Sequence, residues 1–218
     1  MLALEGAETA AFEDVYRSAE PQVVESSGLV VKGLEEGVVL AATRLDVLAL
    51  VAPRFEALGL RHHNNWMRLT RRVTDIPDLG STSLRVDVIG PESGSPFSAI
   101  VAEAFQYPSA IAGVTEGVVG RPEWTHYLAY FGGKPVAAAA MYVRGEAAWF
   151  GFAATDAAHR GRGAQTALVL RRLRDAAAAG CSWVSVETAE QTPDKEAPSF
   201  RNLRRLGFEV AYRRPNYL

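Results

Sequence analysis

The stretch that decides the fold runs from Trp149 to Gly180 and reads WFGFAATDAAHRGRGAQTALVLRRLRDAAAAG. It begins within an apolar segment, Ala147–Ala154, which is short enough to be a buried strand. From about Gly163 to Ala179 the apolar side chains recur at helical spacing, and the glycine that follows is typical of a helix C-cap. The stretch therefore predicts a strand, a tight glycine-rich turn and a helix in direct succession.

The turn between this strand and helix has the properties of an anion-binding site. Its glycines leave successive backbone N–H groups accessible, and the first helical turn contributes N–H groups without an intrahelical partner. The helix dipole and the guanidinium groups of Arg160 and Arg162 add favourable charge. The turn thus predicts a diphosphate site. A solvated basic turn is the alternative, because glycine-rich turns before helices are common.

The spacing within the turn is more informative than its composition. Arg160, Gly163 and Gln165 fall on the pattern Arg/Gln-x-x-Gly-x-Gly/Ala, and the stretch resembles the coenzyme A signature of the GNAT superfamily of N-acetyltransferases. Gln165 departs from the pattern, since the family usually has Gly or Ala there. A second segment, Ser199–Phe208, is similar to the family's last helix and its Gly-Phe exit into a strand. The resemblance covers roughly Leu84–Leu218.

Two other phosphate-binding motifs compete for the same turn. Gly161-x-Gly163 follows a strand, and Glu187 comes about 20 residues later, near the spacing of a dinucleotide-binding site. Thr166 replaces the third glycine of that motif, and the turn comes late in the chain, which makes this interpretation the weaker one. A phosphate-loop nucleotidase is weaker still, because no Gly-Lys-Ser/Thr follows the turn.

Composition favours a soluble enzyme. The chain has 218 residues, 48% of them hydrophobic, and a formal net charge of -2, so it can form a core and does not suggest a nucleic-acid surface. The single cysteine, Cys181, excludes an internal disulfide. Neither a signal peptide nor an apolar run of ~20 residues is apparent, so we expect a cytoplasmic protein that does not span a membrane. His62 and His63 lack zinc-site spacing, and no metal is expected.

The half that resembles the family predicts an α/β (α+β) fold of the order β-α-β-β-β-α-β-α-β. Its sheet should be mixed and mostly antiparallel, with helices on both faces, as in the GNAT acyl-CoA N-acyltransferase fold. A short helical piece is expected before Gly120. The predicted strands are Leu84–Ile89, His126–Phe131, Pro135–Val143, Ala147–Ala154, Ser182–Thr188 and Glu209–Leu218, and the first helix is Pro96–Phe105.

The first 80 residues are too apolar for a disordered tail and predict a small α/β domain of their own, separate from a catalytic domain over residues 84–218. Gly37–Ala42 and Asn65–Val73 have the character of strands, and Asp46–Leu58 that of an amphipathic helix. Ala57–Leu60 echoes Arg205–Phe208, which favours a degenerate half-repeat of the family domain. Coincidence of common strand-helix-strand patterns is the alternative.

The resemblance implies transfer of an acetyl group from acetyl-CoA to a primary amine of a small molecule or peptide, without a metal, a nucleic acid or a membrane, and it allows a homodimer. The backbone N–H near Ala153 would hold the thioester oxygen, and the loop from Arg160 to Thr166 would hold the diphosphate. The implied coenzyme-binding residues are Ala153, Ala154, Thr155, Arg160, Gly161, Arg162, Gly163, Ala164, Gln165, Thr166, Ser199 and Asn202.

Direct transfer also needs a base for the amine and an acid for the leaving thiolate. Glu187, at the end of the strand beside the motif strand, is the first candidate base, and Glu190 is the reserve. The family often supplies the acid from a tyrosine, but Leu203 stands at that position, so Tyr212 or Tyr217 would substitute. The missing tyrosine and the long N-terminal half also allow a second class of function, a non-catalytic acetyl-CoA-binding sensor or structural module.

Overall fold

The structure, a computed structural model, describes residues 29–34, 37–42, 55, 57, 59–78, 83–106 and 109–217. Within these residues, nine strands form a single sheet that α-helices cover. The strands are β1 (Leu29–Leu34), β2 (Gly37–Ala42), β3 (His62–Arg72), β4 (Arg85–Ile89), β5 (Trp124–Phe131), β6 (Lys134–Arg144), β7 (Ala147–Thr155), β8 (Trp183–Ala189) and β9 (Glu209–Tyr217). The helices are α1 (Gly94–Phe105), α2 (Ser109–Gly117), α3 (Ala164–Ala178) and α4 (Pro198–Arg205), with short 3-10 turns at Pro91–Ser93 and Ala157–His159.

The strands lie in the order β1-β2-β9-β3-β8-β7-β6-β5-β4. Neighbouring strands pair antiparallel, except that β7 and β8 are parallel. A helix connects these two strands, as a parallel connection requires. The prediction of a mixed, mostly antiparallel sheet is therefore confirmed, and the predicted order of elements from residue 84 onward is also found, with α2 as the expected short helical piece.

Small side chains in the middle of the sheet explain how helices pack on both faces. The run Ala137–Ala140 in β6 is completely buried, and both α1 and α3 contact β6 and β7. Two apolar clusters result. One includes Leu168 and Leu173 of α3, and the other includes Phe97 and Val101 of α1. Alanines on the strand between these clusters let the two helices approach the sheet closely.

The described N-terminal strands share the sheet of the family-like half. β2 coincides with the predicted strand Gly37–Ala42, and β3 overlaps the predicted strand Asn65–Val73. β3 lies between β8 and β9, and β2 pairs with β9. Strand partners depend on long-range packing, which local patterns do not reveal. The predicted helix Asp46–Leu58 lies almost entirely outside the described residues, and both the half-repeat and the division into two domains stay predictions.

Candidate coenzyme cleft and active site

The central feature of the site is a gap between β7 and β8. The two strands pair only from Ala147 to Phe150 on β7 and from Trp183 to Val186 on β8. Beyond these residues β7 continues to Thr155, while β8 pairs with β3 on its other side. None of the described strands therefore covers the β8 side of β7 after Phe150, and backbone groups on that side can bind a ligand.

A β-bulge lies where the gap begins. Ala138 pairs with Ala154 but Ala140 pairs with Gly151, so β7 has one more residue than β6 in this interval. Phe152 takes up the extra length with a φ of 50°, a left-handed conformation that is unusual for a phenylalanine. A bulge re-aims the backbone and side chains next to it, and it thus sets the direction of the N–H groups that follow.

Gly151 is required by its neighbour Trp149. A Cβ atom on Gly151 would lie 2.2 Å from the Trp149 indole, so no other residue fits without moving that ring. Trp149 is 5% exposed and packs with Trp124 and Phe152 on the α1 face of the sheet. These aromatic rings support the bulge from one side.

The glycine-rich turn leads from the end of β7 into α3. Gly163 is the N-cap of α3 with a φ of 81°, a conformation that favours glycine, and no side chain caps the helix. The first intrahelical bond runs from the Ala167 N–H to the Gly163 carbonyl. The N–H groups of the preceding helical turn are thus directed out of the helix end, where the dipole favours an anion.

The gap and the turn open into one cleft of about 700 Å³. It contains eleven of the twelve predicted coenzyme-binding residues, all except Arg162. The guanidinium group of Arg162 lies instead over the Phe131 ring, 4.9 Å from its centroid. The remaining lining residues, which the sequence analysis did not single out, are Ala104, Phe105, His159, Leu168, Pro198 and Arg205.

A polar network joins α3 to α4 across the cleft. The side-chain amide of Asn202 donates to Oε1 of Gln165 at 3.0 Å, and the Thr166 hydroxyl donates to Oδ1 of Asn202 at 3.1 Å. Arg205 donates to the same Asn202 oxygen at 2.8 Å. Gln165, the departure from the family pattern, is therefore held by α4. Arg205 lies one helical turn after Asn202, so its helical spacing was a signal that could have identified it.

His159 lines the cleft beside the turn and is held by Asp156. Their Nδ1 and Oδ2 atoms are 2.9 Å apart, and the Asp156 side chain also accepts from the Ala158 N–H at 2.9 Å. The Ala158 hydrogen bond, followed by that of His159, holds the pKa of Asp156 below its usual value. These contacts fix the 3-10 turn that precedes Arg160.

Glu187, the predicted base, does not line the cleft. Its side chain is 3% exposed and lies between two arginines, with Oε1 2.9 Å from Nη1 of Arg214 and 3.7 Å from Nη1 of Arg68. Both arginines are buried, at 5% and 1% exposure. In this position the carboxylate neutralises charge between buried strands of the sheet. Its predicted role as base requires a water molecule that connects it to the cleft.

The other candidate catalytic residues also lie outside the cleft lining. Tyr212 is on β9 opposite Arg68, and Leu203, in place of the family's tyrosine, is 2% exposed in the core. Glu190 accepts a hydrogen bond from the Asn65 amide at 2.7 Å and pairs with Arg213 at 3.3 Å. The Asn65 hydrogen bond, followed by Arg213, lowers the pKa of Glu190, which makes it a weak base.

Within the ranges that the structure describes, no three His, Cys, Asp or Glu side chains form a group that could hold a metal ion. The helices within these ranges also include none that is both long and apolar enough to cross a bilayer.

Comparison with known proteins identifies the family. The acetyltransferase (GNAT) family model matches residues 97–208, more than half of the chain. The chain belongs to the GNAT acetyltransferase family, a class of enzymes that transfer acetyl groups from an acyl-CoA donor. The matched range includes the gap, the glycine-rich turn, α3 and α4. No curated protein sequence matches the chain significantly.

Solved structures share the fold at low sequence identity. A GCN5-related N-acetyltransferase from Kribbella flavida has a TM-score of 0.62 and 17% identity, covering 98% of this chain and 94% of that one. One from Sphaerobacter thermophilus has a TM-score of 0.60 and 20% identity, covering 82% of this chain and 57% of that one. A tandem GNAT protein from the clavulanic acid biosynthesis pathway has a TM-score of 0.55 and 18% identity, covering 87% of this chain and 62% of that one. The chain thus spans less than two thirds of the last two proteins.

Proposed function

We propose that the protein transfers the acetyl group of acetyl-CoA to a primary amine of a small molecule or peptide, by direct attack in a ternary complex. The observation that carries this proposal is the single cleft that joins the open side of β7 to the uncapped N-terminus of α3. A thioester and a diphosphate can bind to these two features at the same time.

The coenzyme's diphosphate would bind the N–H groups of the first turn of α3, with Arg160 as the arginine of the loop that lines the cleft. The Arg160 side chain is exposed and donates to the Thr155 carbonyl at 3.4 Å, so it already lies along the path from β7 to the loop. Gln165 and Asn202 would bind the coenzyme from the α3 and α4 sides. Charge-assisted hydrogen bonds of this kind give phosphate sites much of their strength.

The thioester carbonyl would accept a hydrogen bond from the backbone N–H at Ala153, just after the bulge. The amine nitrogen attacks the carbonyl carbon, the carbon–sulfur bond breaks, and the coenzyme leaves as a thiolate. The amine's proton goes to a base and the thiolate takes up a proton, so the products are an N-acetyl amide and coenzyme A. A preorganised donor to the developing oxyanion typically contributes about 10²–10³ in rate.

Glu187 and Tyr212 stay the predicted base and acid. Both side chains belong to strands on the β8 side of the gap, and Glu187 would take the amine's proton through an intervening water. Because Glu187 is buried between Arg68 and Arg214, this water has to connect its carboxylate to the cleft.

Release of free thiol tests the transfer. The purified protein is mixed with acetyl-CoA and a panel of amines that includes an amino acid, a polyamine and a peptide, and coenzyme A release is followed with a thiol reagent. We expect thiol release that depends on one class of amine, and a mass increase of that amine by one acetyl group. Thiol release that is independent of every amine, or its absence throughout, would contradict the proposal.

A second candidate function is binding of acetyl-CoA without transfer. It is favoured by the burial of Leu203 where the family often has its acid, and by the burial of the predicted base. Such a protein would bind acetyl-CoA in a calorimeter, would lose that binding when Gly163 is replaced by Trp, and would release no thiol with any amine.

A further inference from the structure

Arg172 is a fully buried arginine in the middle of α3. Its Nε donates to the Leu168 carbonyl, one turn earlier in the same helix, at 3.2 Å. Its Nη1 leaves the helix and donates to the Ala140 carbonyl on β6 at 3.0 Å. The residue therefore connects the helix of the coenzyme loop with a strand of the sheet.

The point of contact on the sheet is the β-bulge. Ala140 is the residue paired with Gly151, directly beside the register shift between β6 and β7. The Arg172 guanidinium also lies over the Phe150 ring, 4.5 Å from its centroid. Phe150 is the last β7 residue that pairs with β8. One side chain thus contacts both strands of the bulge at the position where the gap opens.

Stability alone does not account for this charge. Burial lowers the pKa of Arg172 to about 10, so the side chain remains cationic at neutral pH at a cost in desolvation. An apolar residue of similar volume often replaces a buried ionic group at no cost or with a gain in stability. A bulge leaves a ladder position disrupted, and hydrogen bonding to Ala140 there is a task that an apolar side chain cannot perform.

We propose that Arg172 is a positioning residue for acetyl transfer. Its guanidinium holds the bulge at Gly151–Phe152 in a fixed position relative to α3. The N–H group after the bulge and the phosphate-binding end of α3 thus keep the separation and orientation that one bound coenzyme molecule requires. The positive charge in the water-excluded layer next to β7 also favours the oxyanion that forms on the thioester. The catalytic part of this inference rests on the proposed acetyltransferase function.

The test compares Arg172→Met with its neighbour Arg171→Met. Arg171 also donates to a strand carbonyl, that of Val86 at 2.8 Å on the edge strand β4, and it pairs with Asp175 in its own helix. It therefore controls for the loss of an arginine from α3. We expect Arg172→Met to lower kcat about 10- to 100-fold, the size of effect that small misplacements of reacting groups produce. The Kd for coenzyme A and the KM for acetyl-CoA should change by less than about threefold.

Amide hydrogen exchange gives a readout that does not need activity. We expect peptides covering residues 150–155 to exchange faster in Arg172→Met than in wild type, with unchanged exchange in Arg171→Met. Arg172→Lys keeps the charge and one donor, and should lose only about threefold in kcat. Wild-type exchange and wild-type kcat in Arg172→Met would overturn the inference. If that variant does not fold, Arg172→Leu takes its place, and wild-type exchange with wild-type kcat in Arg172→Leu would overturn the inference.

The two proposals fail in different ways. A wild-type protein that releases no thiol with any amine would contradict the proposed function, and the exchange experiment would still decide whether Arg172 holds the bulge. A wild-type protein that is active, with a kcat that Arg172→Met leaves unchanged, would contradict the positioning role alone.

Discussion

Arg68 on β3 and Glu187 on β8 lie directly opposite each other, and their side chains form an ion pair in the interior of the protein. Arg214 on β9 approaches the same carboxylate oxygen to 2.9 Å. One carboxylate thus joins three neighbouring strands, of which β3 comes from the N-terminal part of the chain. This arrangement indicates that β3 and the last two strands of the family-like half are held together around Glu187.

Replacing Glu187 with Gln should destabilise the protein more than it affects coenzyme binding. The change leaves the two buried guanidinium groups without the carboxylate, and removing one partner of a buried pair costs about 3 kcal/mol. The free energy of unfolding in urea measures this loss. Glu196→Gln is the control, because Glu196 pairs with Arg201 but is 79% exposed. Equal stability of the two variants would contradict the prediction.

Residues 84–218 should not fold without the residues that precede them. β3 pairs on both sides, with β8 and β9, and its Leu69 is completely buried. Without β3 the sheet would lose a central strand and expose two unpaired edges. We expect the fragment to aggregate and to show no cooperative thermal transition by circular dichroism. Co-expression with residues 1–83 should restore a soluble protein. A fragment that is monomeric and unfolds cooperatively by itself would argue against this role of β3.

The glycine-rich turn before α3 could be predicted from the sequence because its determinants are local. The φ of Gly163, the apolar periodicity of α3 and the strand before the turn all depend on residues that are adjacent in the chain. The sequence also predicted the strand β2, for the same reason. Local patterns and family spacing were therefore sufficient for the order of elements and for most of the residues around the cleft.

The positions of Glu187 and β3 could not be predicted in this way. The end of a strand beside the motif strand is a reasonable place for a base, but the burial of Glu187 depends on Arg68, which is distant in sequence. The same holds for Arg172, whose partner Ala140 is on another strand and accepts only through its backbone. Long-range pairings of this kind are set by packing of the whole sheet, which no local window contains.

Replacing Gly163 with Trp should abolish coenzyme binding while leaving the fold intact. No atom lies within 4 Å of the position where a Cβ of Gly163 would be, so the new side chain would extend into open space beside the cleft. Calorimetric titration with acetyl-CoA, coenzyme A and NAD measures the effect, and we expect the wild type to bind the first two with at least 100-fold higher affinity than the variant, or about 3 kcal/mol.

Gly133→Trp is the matched control for this variant. Gly133 has a φ of 82° in the β5–β6 turn, and no atom lies within 4 Å of the position where its Cβ would be. The substitution therefore imposes the same backbone strain outside the cleft lining. The affinity of the Gly133→Trp variant for coenzyme A should stay within about twofold of wild type. Equal losses of coenzyme affinity in both variants would show that backbone strain explains the effect and that blockage of the cleft does not. Binding of NAD alone by the wild type would favour a dinucleotide site.

Lowering the pH from 7 to 5 should destabilise the protein through His126. Burial lowers the pKa of this histidine from 6.5 to about 4, and its ring packs between Phe97 and Trp124. Between pH 6.5 and about pH 4, His126 therefore binds a proton in the unfolded chain but not in the folded protein. The contribution of neutral His126 to the free energy of unfolding is fully present above pH 6.5 and is lost as the pH falls toward 4. At pH 5 the loss from this group is about 2 kcal/mol.

His126→Phe should remove this part of the pH dependence, because phenylalanine keeps an aromatic ring in the same position and does not titrate. Urea unfolding at pH 7 and pH 5 gives the difference for each protein. The control is His63→Phe, since His63 is exposed on β3 and should leave the wild-type difference unchanged. If His126→Phe loses as much stability between the two pH values as wild type does, groups other than His126 are responsible for the acid sensitivity of the fold.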